Sequence, residues 1–462
     1  MRTTSARLIL IGSLSAVMTI AGCGSSGSTN PDAGGGSGGA SGDGGPGTDG
    51  KGDGSADQIS SADGDAGANP GPGNFALKGP IGDPNSSTTP ELTWDVAMGA
   101  ASYTVEIATA ATFGAATVSM KAGLGTTSFF PPAGLKEGVI YFWRVTAINS
   151  DGMTVASNAP QWFSASVSAG SSPHGIAVTP DGMRAVVAND TMPGAVTLVD
   201  LTAFTTQSIM LMGHPAQVAI TPDGTKALVT EGTPNNLAVI DLAGKTLAGT
   251  VNPPCTMTTL SGIAVKRDGS AALMPDFGTG CTKDVLDVIP LPGMAIASTI
   301  DLASSASAFA VAIMPDGSAA LVTRGEIITS VARVALDASG TVTPIPGVTA
   351  SFGVAITPDG KQALVTSGQT GTVKVISLTS NTVTSTIMFG SNRDNGNVAI
   401  APNGKSAVVV GDFKTAILSL TDNSIVATPS LNGRSVANTP DSSRALVTGS
   451  GPSGRLYVLK LP

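Results

Sequence analysis

The sequence GIAVTPDGMRAVVAN, at residues 175–189, returns as VAITPDGTKALVTE at residues 218–231 and as VAITPDGKQALVTS at residues 354–367. In each copy an apolar run leads into a Pro-Asp-Gly turn, and a second apolar run follows it. Looser copies bring the number of turns to seven, with the turn residue at Asp181, Asp223, Asp268, Asp316, Asp359, Asn403 and Asp441. The copies are 38 to 48 residues apart, and such a period is typical of stacked or radial repeats.

Each period contains four short runs of alternating residues, which in the first period are 175–179, 184–189, 196–200 and 207–211. Four such strands form one blade of a β-propeller, and seven blades can close a ring. The predicted fold class is therefore all-β, with a seven-bladed β-propeller at residues 167–462. The last period stops after its third run, so the run at residues 164–168 is expected to supply the missing strand and to protect a sheet edge.

The repeats resemble the lactonase-like propeller family whose repeats carry a Tyr-Val-Thr-Asn signature. The resemblance lies in the strand pattern, the Pro-Asp-Gly turn and the third strand, which reads LVD at residues 198–200 and VID at residues 239–241. The signature Tyr is absent, and Val187, Val229 and Val365 replace it. The resemblance implies a propeller that either binds a ligand or hydrolyses lactones with a divalent cation at the channel mouth. The chain has only two histidines, His174 and His214, so a multi-histidine metal site is excluded by count.

The turn acids and the strand ends that follow them have different expected roles. In a Pro-Asp-Gly turn the Gly supplies a positive φ and the Asp bonds its own backbone, so these acids are expected to be turn residues and not ligands. The following strands end on the opposite face, near the predicted channel mouth, where loops hold function. The candidate ligand-binding rim consists of these strand-end residues: Asn189, Glu231, Asp276, Arg324 and Ser367.

The charged members of this rim, Glu231, Asp276 and Arg324, fall on consecutive blades. Two carboxylates beside an Arg could hold a divalent cation or a polar ligand, and solvated loop charges are the alternative. No other cofactor is expected, because no Cys-x-x-Cys-His sequence for haem attachment occurs. Cys255 precedes the first strand of the third blade and Cys281 follows its second, so two strand traversals return the chain to the same face. An exported chain is then expected to join them in a disulfide.

Residues 75–166 have a different composition and are predicted to form a separate sandwich. They contain all three Trp residues, and ELTWDV at residues 91–96, SYTVEIA at residues 102–108 and YFWRVTAIN at residues 141–149 alternate with a period of two. Together with LKEGVIYFWRV from Leu135, this spacing resembles the fibronectin type III domain, in which Trp94 and Tyr141 match core positions. The resemblance implies a spacer or adhesive module. Residues 160–168 fit both its last strand and the closing propeller strand, and the sequence leaves this open.

The N-terminus predicts export and anchoring. Arg2 and Arg7 precede an apolar stretch at residues 8–20, and Ile-Ala-Gly-Cys follows at residues 20–23, which resembles the bacterial lipobox. The resemblance implies a signal peptide at residues 1–22 and a diacylated Cys23, with an ordinary signal peptide as the alternative. Residues 23–74 are Gly, Ser, Asp, Ala and Pro for the most part, a composition typical of a disordered tether.

The composition and motifs together favour a binding or scaffold protein over an enzyme. A formal net charge of −8 offers no basic face for nucleic acid. The expected location is the cell envelope, periplasmic or at the surface, with the membrane as partner through the N-terminal lipid and a protein, glycan or small molecule as partner at the propeller face. The alternative is a lactonase-like hydrolase that uses a divalent cation at the mouth.

Overall fold

The computed structural model describes residues 71–132, 134–233, 235–255, 262–277, 281–303, 307–325, 331–368, 370–388, 396–411, 414–450 and 454–462. Within these ranges the protein is all-β, and a single 3-10 turn at Gly114–Ala116 is its one helical element. A search of the same ranges finds no helix with the length and apolar character needed to cross a membrane. The predicted signal peptide, Cys23 and residues 23–70 of the predicted tether lie outside the described residues.

The first nine strands form two sheets. They are β1 (Leu77–Gly79), β2 (Asp83–Ser86), β3 (Leu92–Trp94), β4 (Ser102–Ala108), β5 (Thr117–Leu124), β6 (Ser128–Phe129), β7 (Ile140–Ile148), β8 (Met153–Val155) and β9 (Gln161–Ala165). One sheet has the order β1-β3-β6, and the other has the order β2-β9-β7-β4-β5 with β8 beside β7. Alternate residues of β4 and β7 are buried, as their period of two predicts. Trp94 of one sheet and Trp143 of the other belong to one apolar core, so the sheets face each other.

Polar tips of the core aromatics are tied to backbone groups. The Tyr141 hydroxyl accepts a hydrogen bond from the backbone N–H of Lys136 at 2.9 Å. The indole N–H of Trp143 donates to the carbonyl of Pro80 at 2.9 Å. Because a buried hydroxyl or indole N–H is costly to leave unpaired, these bonds fix the rings in single orientations within the sandwich.

The remaining strands belong to the repeats. Strand β10 (Val167–Ser168) comes first. The first three blades then contain β11 (Pro173–Val178), β12 (Arg184–Asn189), β13 (Ala195–Asp200), β14 (Thr206–Met210), β15 (Pro215–Ile220), β16 (Lys226–Glu231), β17 (Asn236–Asp241), β18 (Thr246–Val251), β19 (Ala264–Val265), β20 (Ala271–Asp276), β21 (Val285–Pro290) and β22 (Ser298–Asp301). The other four contain β23 (Ala308–Ile313), β24 (Ala319–Arg324), β25 (Val331–Ala335), β26 (Val342–Ile345), β27 (Ser351–Ile356), β28 (Gln362–Ser367), β29 (Thr372–Ser377), β30 (Thr382–Met388), β31 (Asn397–Ile400), β32 (Ser406–Val410), β33 (Thr415–Ser419), β34 (Ser424–Ala427), β35 (Gly433–Asn438), β36 (Arg444–Gly449) and β37 (Arg455–Lys460).

These strands form seven four-stranded sheets within the described part of the chain. Six sheets consist of four consecutive strands, and the seventh has the order β10-β37-β36-β35. The first strand of each sheet, which we call the inner strand, contacts the inner strand of the next sheet, and β35 contacts β11. The sheets therefore close into a ring, which is the arrangement of a β-propeller, and we call them blades one to seven in chain order.

The two ends of the repeat array meet in the seventh blade. Val167 of β10 pairs with Leu456 of β37, so the chain before the first repeat supplies the outer strand of the last one. Strand β9 stays in the sandwich, where it pairs with β7. The run expected as a single donor, residues 164–168, is thus divided at Ser166 between the sandwich sheet and the closing blade.

The sandwich packs directly on the ring. The Ser164 hydroxyl donates to the carbonyl of Val458 at 2.9 Å, and the Arg455 guanidinium donates to the Ser166 hydroxyl at 2.9 Å. Gly138 has a φ of +72°, and a Cβ added there would lie 2.1 Å from the ring of Phe204 in the first blade. This close approach leaves room only for glycine at the contact.

The ring has two faces, which the repeats define. The turn face carries the Pro-Asp-Gly turns. In the first repeat the Thr179 hydroxyl donates to Asp181 at 2.5 Å, and Asp181 also accepts from the backbone N–H of Met183 at 2.9 Å. The hydrogen bond from the threonine hydroxyl is the main cause that lowers the pKa of Asp181, and the same holds for Asp223 and Asp359. The opposite face, where the inner strands begin and the second strands end, is called the mouth face.

Candidate functional site

A cavity of about 650 Å³ opens into the centre of the ring. Its walls are the first residues of the inner strands, together with Asp190, which directly follows β12. Since the inner strands run from the mouth face toward the turn face, the cavity belongs to the mouth face. Its volume lies in the range of small-molecule sites, about 300 to 1,000 Å³.

Most of the side chains in this wall occupy two repeat positions. The first position lies seven residues before the turn residue and holds His174, Phe309, Phe352 and Arg434 in blades one, four, five and seven. The second lies six residues before it and holds Gln217, Asn397 and Ser435 in blades two, six and seven. The backbone conformation repeats from blade to blade, whereas the side chains at these two positions differ in chemical type.

Aromatic rings form one side of the cavity. Phe309 and Phe352 are stacked, with ring centroids 5.1 Å apart and an interplanar angle of 29°. Phe277 meets Phe309 edge to face at 6.3 Å. The rings come from blades three, four and five, and each is partly exposed. Phe309 and Phe352, which line the cavity, give it a flat apolar surface.

The other side of the cavity is polar. His174 places Nδ1 3.2 Å from the carbonyl of Ala216, and Asn397 donates from Nδ2 to the Ser435 hydroxyl at 3.0 Å. Asp190 is paired with His214, whose Nδ1 lies 2.9 Å from Oδ1. The guanidinium of Arg434, partly buried in the same wall, forms no hydrogen bond or ion pair with any group of the described residues. Within the described part of the chain, no group compensates this cation.

The structure places the predicted rim residues on the mouth face but does not bring them into the cavity wall. All five are the last residues of second strands, and all are buried, with exposed fractions of 1% for Asn189, 3% for Glu231, 0% for Asp276, 5% for Arg324 and 2% for Ser367. They lie on the face where they were expected, but as buried side chains, and their role in ligand binding stays a prediction. Burial is the main cause that raises the pKa of Glu231, and it raises the pKa of Asp276 to about 6.

Three of these buried side chains, those of Glu231, Arg324 and Ser367, contact the segments that lead into the inner strands of their own blades. Glu231 accepts from the backbone N–H of Gly213 at 2.9 Å. The Ser367 hydroxyl donates to the carbonyl of Thr349 at 2.6 Å, and a guanidinium nitrogen of Arg324 lies 3.4 Å from the carbonyl of Leu302. The varied residue types thus perform one shared structural task.

In blades one and three, the residue that follows the rim position belongs to the cavity wall or contacts it. Asp190 lines the cavity, whereas Asn189 turns inward and donates to the Thr197 hydroxyl at 2.7 Å. Phe277 likewise joins the aromatic group, whereas Asp276 is buried. Successive side chains of a strand point to opposite sides, so an error of one residue selects the wrong set. The signal that sequence reasoning missed is the chemical variation seven residues before each turn.

A disulfide joins Cys255 and Cys281, with a Cα–Cα distance of 5.2 Å. Their Sγ atoms and a carboxylate oxygen of Asp276 lie within 4.8 Å of one another. Because the metal ligand of a cysteine is its thiolate, the disulfide removes both sulfurs as ligands and leaves only the carboxylate. The geometry thus encloses the Asp276 side chain in a cross-linked loop.

Comparisons with known proteins inform the fold alone. No protein-family model matches the chain, and no curated protein matches it. Among solved structures it is similar to Kuenenia stuttgartiensis hydrazine synthase, a β-propeller-containing protein, with a TM-score of 0.55 and 22% identity. The similarity covers 63% of this chain and 96% of that chain. It agrees with the propeller architecture described above.

Proposed function

We propose that this protein is a lipid-anchored binding protein of the cell envelope, whose propeller channel binds a small ligand with a flat apolar part and an anionic group. The main support for this proposal is the arrangement of the cavity wall. The guanidinium of Arg434, which has no partner among the described residues, lies across the ring from the stacked Phe309 and Phe352. A guanidinium recognises carboxylate or phosphate oxygens through parallel N–H donors, and aromatic faces bind flat apolar groups. One ligand can engage both at once.

The arrangement gives less support to a lactonase-like hydrolase. The cavity wall offers one carboxylate, Asp190, and this group is already paired with His214. Within the described ranges, the group of three potential ligand residues closest to a metal-site geometry is Cys255, Asp276 and Cys281, away from the wall. A catalytic cation needs several ligands and an open coordination position beside the substrate. Binding without turnover is the function that the wall residues favour.

The sandwich is proposed to be a fibronectin type III-like spacer, and the ring a member of the Tyr-Val-Thr-Asn type of propellers. Two features support the first assignment: the division into a three-stranded sheet β1-β3-β6 and a larger sheet, and the bond of the Tyr141 hydroxyl to an upstream backbone N–H. The sandwich packs on the first and seventh blades, which is compatible with a spacer next to the ring.

Anchoring through Cys23 completes the proposal and has a direct test. Replacing Cys23 with Ser removes the thiol that would carry the acyl chains, so the variant should leave the membrane fraction, because those chains supply the anchoring energy. Membrane fractionation and the mass of the mature N-terminus measure the outcome. A wild-type N-terminus without lipid mass would contradict the anchoring and leave the channel proposal standing.

The channel is tested with aromatic carboxylates such as benzoate, cinnamate and indole-3-acetate, each beside its neutral amide. We expect the carboxylates to raise the melting temperature of the wild-type chain more than the amides do. Arg434→Met should weaken calorimetric binding about 10- to 100-fold, the usual range for one lost charge-assisted hydrogen bond. Phe352→Ala should weaken both carboxylates and amides.

The matched control is Arg267→Met, the same substitution at an exposed arginine on the turn face. It should bind like the wild type. Equal affinities of wild type and Arg434→Met, or no binding by any compound of the series, would contradict the proposed ligand class. Metal-dependent hydrolysis of a lactone series by the wild type would instead favour the enzyme.

A further inference from the structure

Two buried carboxylates lie next to each other in the third blade. Asp276 ends β20, Asp287 lies within β21, and both have an exposed fraction of 0%. The register pairs Met274 with Asp287 and Asp276 with Val285. Residues paired across two strands point to the same face, and so do residues two apart on one strand. The two carboxylates are therefore diagonal neighbours on one face of the blade.

This face is the contact between the second and third blades. Met274 and Ile289, which share the face with the two acids, pack in one core cluster with Leu228 and Val239 of the second blade. On the mouth side of that cluster, the side-chain amide of Asn235 donates to the carbonyl of Cys255. The carboxylates thus lie between two blades, beside the disulfide.

Most of the carboxylate oxygens lack a protein partner. Oδ2 of Asp276 accepts from the backbone N–H of Cys255 at 2.9 Å. Oδ1 of Asp276 and both oxygens of Asp287 are buried and receive no hydrogen bond from the described residues. The nearby cation Lys283 is paired with Asp301 at 2.8 Å and is exposed. Burying an unpaired carboxylate is costly, so this pair requires a positive partner or protons.

In the first blade, the side chains at the same two positions are joined by a hydrogen bond. Asn189 corresponds to Asp276 and Thr197 corresponds to Asp287, because the strand registers are the same. There the Asn189 amide donates to the Thr197 hydroxyl at 2.7 Å. The positions therefore bring side-chain atoms into direct contact. In the third blade both positions carry acceptors, which can be bridged only by something that binds two carboxylates.

We propose that Asp276 and Asp287 bind a divalent cation, with Ca²⁺ as the occupant, between the second and third blades. Carboxylate oxygens are hard ligands, and Ca²⁺ tolerates the irregular oxygen geometry of carboxylates on two strands better than Mg²⁺ does. The ion replaces the hydrogen bond of the first blade with a bridge between two acceptors. Since Phe277 follows Asp276 and contacts Phe309 of the cavity wall, the bound ion also supports that wall.

The test uses the full chain, stripped with a chelator and dialysed against CaCl₂. We expect about one Ca²⁺ per chain by elemental analysis and a rise of about 4 °C in melting temperature at saturation. The double variant Asp276→Asn, Asp287→Asn keeps the shape of both side chains and adds N–H donors. It should fold without the ion, lose the stoichiometric Ca²⁺ and show no rise in melting temperature.

The control is Asp268→Asn, at an exposed acid on the turn face of the same blade, which should keep the calcium response. The single variant Asp287→Asn provides a second measurement if the double variant does not fold, and it should also lose the ion. Wild-type protein without bound Ca²⁺, or a double variant that keeps both occupancy and response, would overturn the proposal. Zn²⁺ binding that appears only after reduction, without a calcium response, would also overturn it and assign the site to the cysteines. None of these readouts involves the channel ligand.

Discussion

The two faces of the ring use their polar residues in opposite ways. On the turn face the same contacts recur: Thr179 bonds Asp181, and Thr221 bonds Asp223, each at 2.5 Å. On the mouth face Asn189, Glu231 and Asp276 fill equivalent positions with different chemistry. The repeated turn preserves the period and therefore the ring. Because the turn face secures the architecture, the residues of the mouth face can vary from blade to blade.

One repeated contact crosses from blade to blade near the mouth face. The Thr323 hydroxyl donates to the carbonyl of Phe352 at 2.7 Å, and the Thr366 hydroxyl donates to the carbonyl of Gly396 at 2.6 Å. The Thr448 hydroxyl donates to the carbonyl of His174 at 2.7 Å. The last of these joins the seventh blade to the first. Ring closure therefore uses the same bond as two of the internal blade contacts.

The largest expected effect comes from breaking this closing contact. Thr448→Val keeps the side-chain volume but removes the hydroxyl, which takes this partner from the partly buried His174 carbonyl and from the buried Ser435 N–H. We expect the free energy of unfolding to fall by about 1 to 3 kcal/mol, measured by chemical denaturation.

Thr448→Ser retains the hydroxyl and should lose less stability than Thr448→Val. Thr366→Val removes the matching bond between the fifth and sixth blades and should cost a similar amount. If Thr448→Val unfolds like the wild type while Thr366→Val is destabilised, the first and seventh blades are not held together in solution as they are in the structure.

The repeat could be predicted from sequence because turn chemistry is local. The Thr-Pro-Asp-Gly pattern places donors and acceptors within five residues, as in the bond from the Arg184 N–H to the Thr179 hydroxyl. Contacts such as that of Ser164 with Val458 join residues 294 positions apart, so the division of residues 160–168 could not be read in advance. This division depends on whether a residue pairs with the sandwich sheet or with the seventh blade.

The residues predicted for the rim lie on the mouth face, but other residues form the wall of the cavity. A period of two predicts that side chains alternate between the two sides of a strand. It does not predict which side faces the channel, and for this reason Asp276 was chosen and Phe277 was not. Asp287 was missed for a related reason. In VLDVIP, at residues 285–290, an acid among apolar residues predicts a solvent-facing position, and only the neighbouring blade shows that this face is covered.

The smallest expected effect concerns the turn face and its dependence on pH. The hydroxyl of Thr221 is the main cause that lowers the pKa of Asp223 below its ordinary value of 3.8. A lowered carboxyl pKa means that the folded state favours the ionised form. Its stabilisation is therefore present above the unfolded pKa and is lost as the pH falls through the folded pKa.

Asp223→Asn removes the titrating group but leaves an oxygen that accepts the turn hydrogen bonds, as Asn403 does from the Lys405 N–H at 2.9 Å. The wild type should melt slightly higher than this variant at neutral pH, by about 1 °C for an exposed contact. The gap should close as the pH falls from 7 to about 2, because the wild-type acid then becomes neutral as well. Thr221→Val removes the main cause of the pKa shift, so the same Asp223→Asn change in that background should show a smaller gap. A gap in melting temperature that stays constant over this range would mean that the charge of Asp223 does not stabilise the turn. The two faces would then differ in the variety of their residues but not in their use of charge.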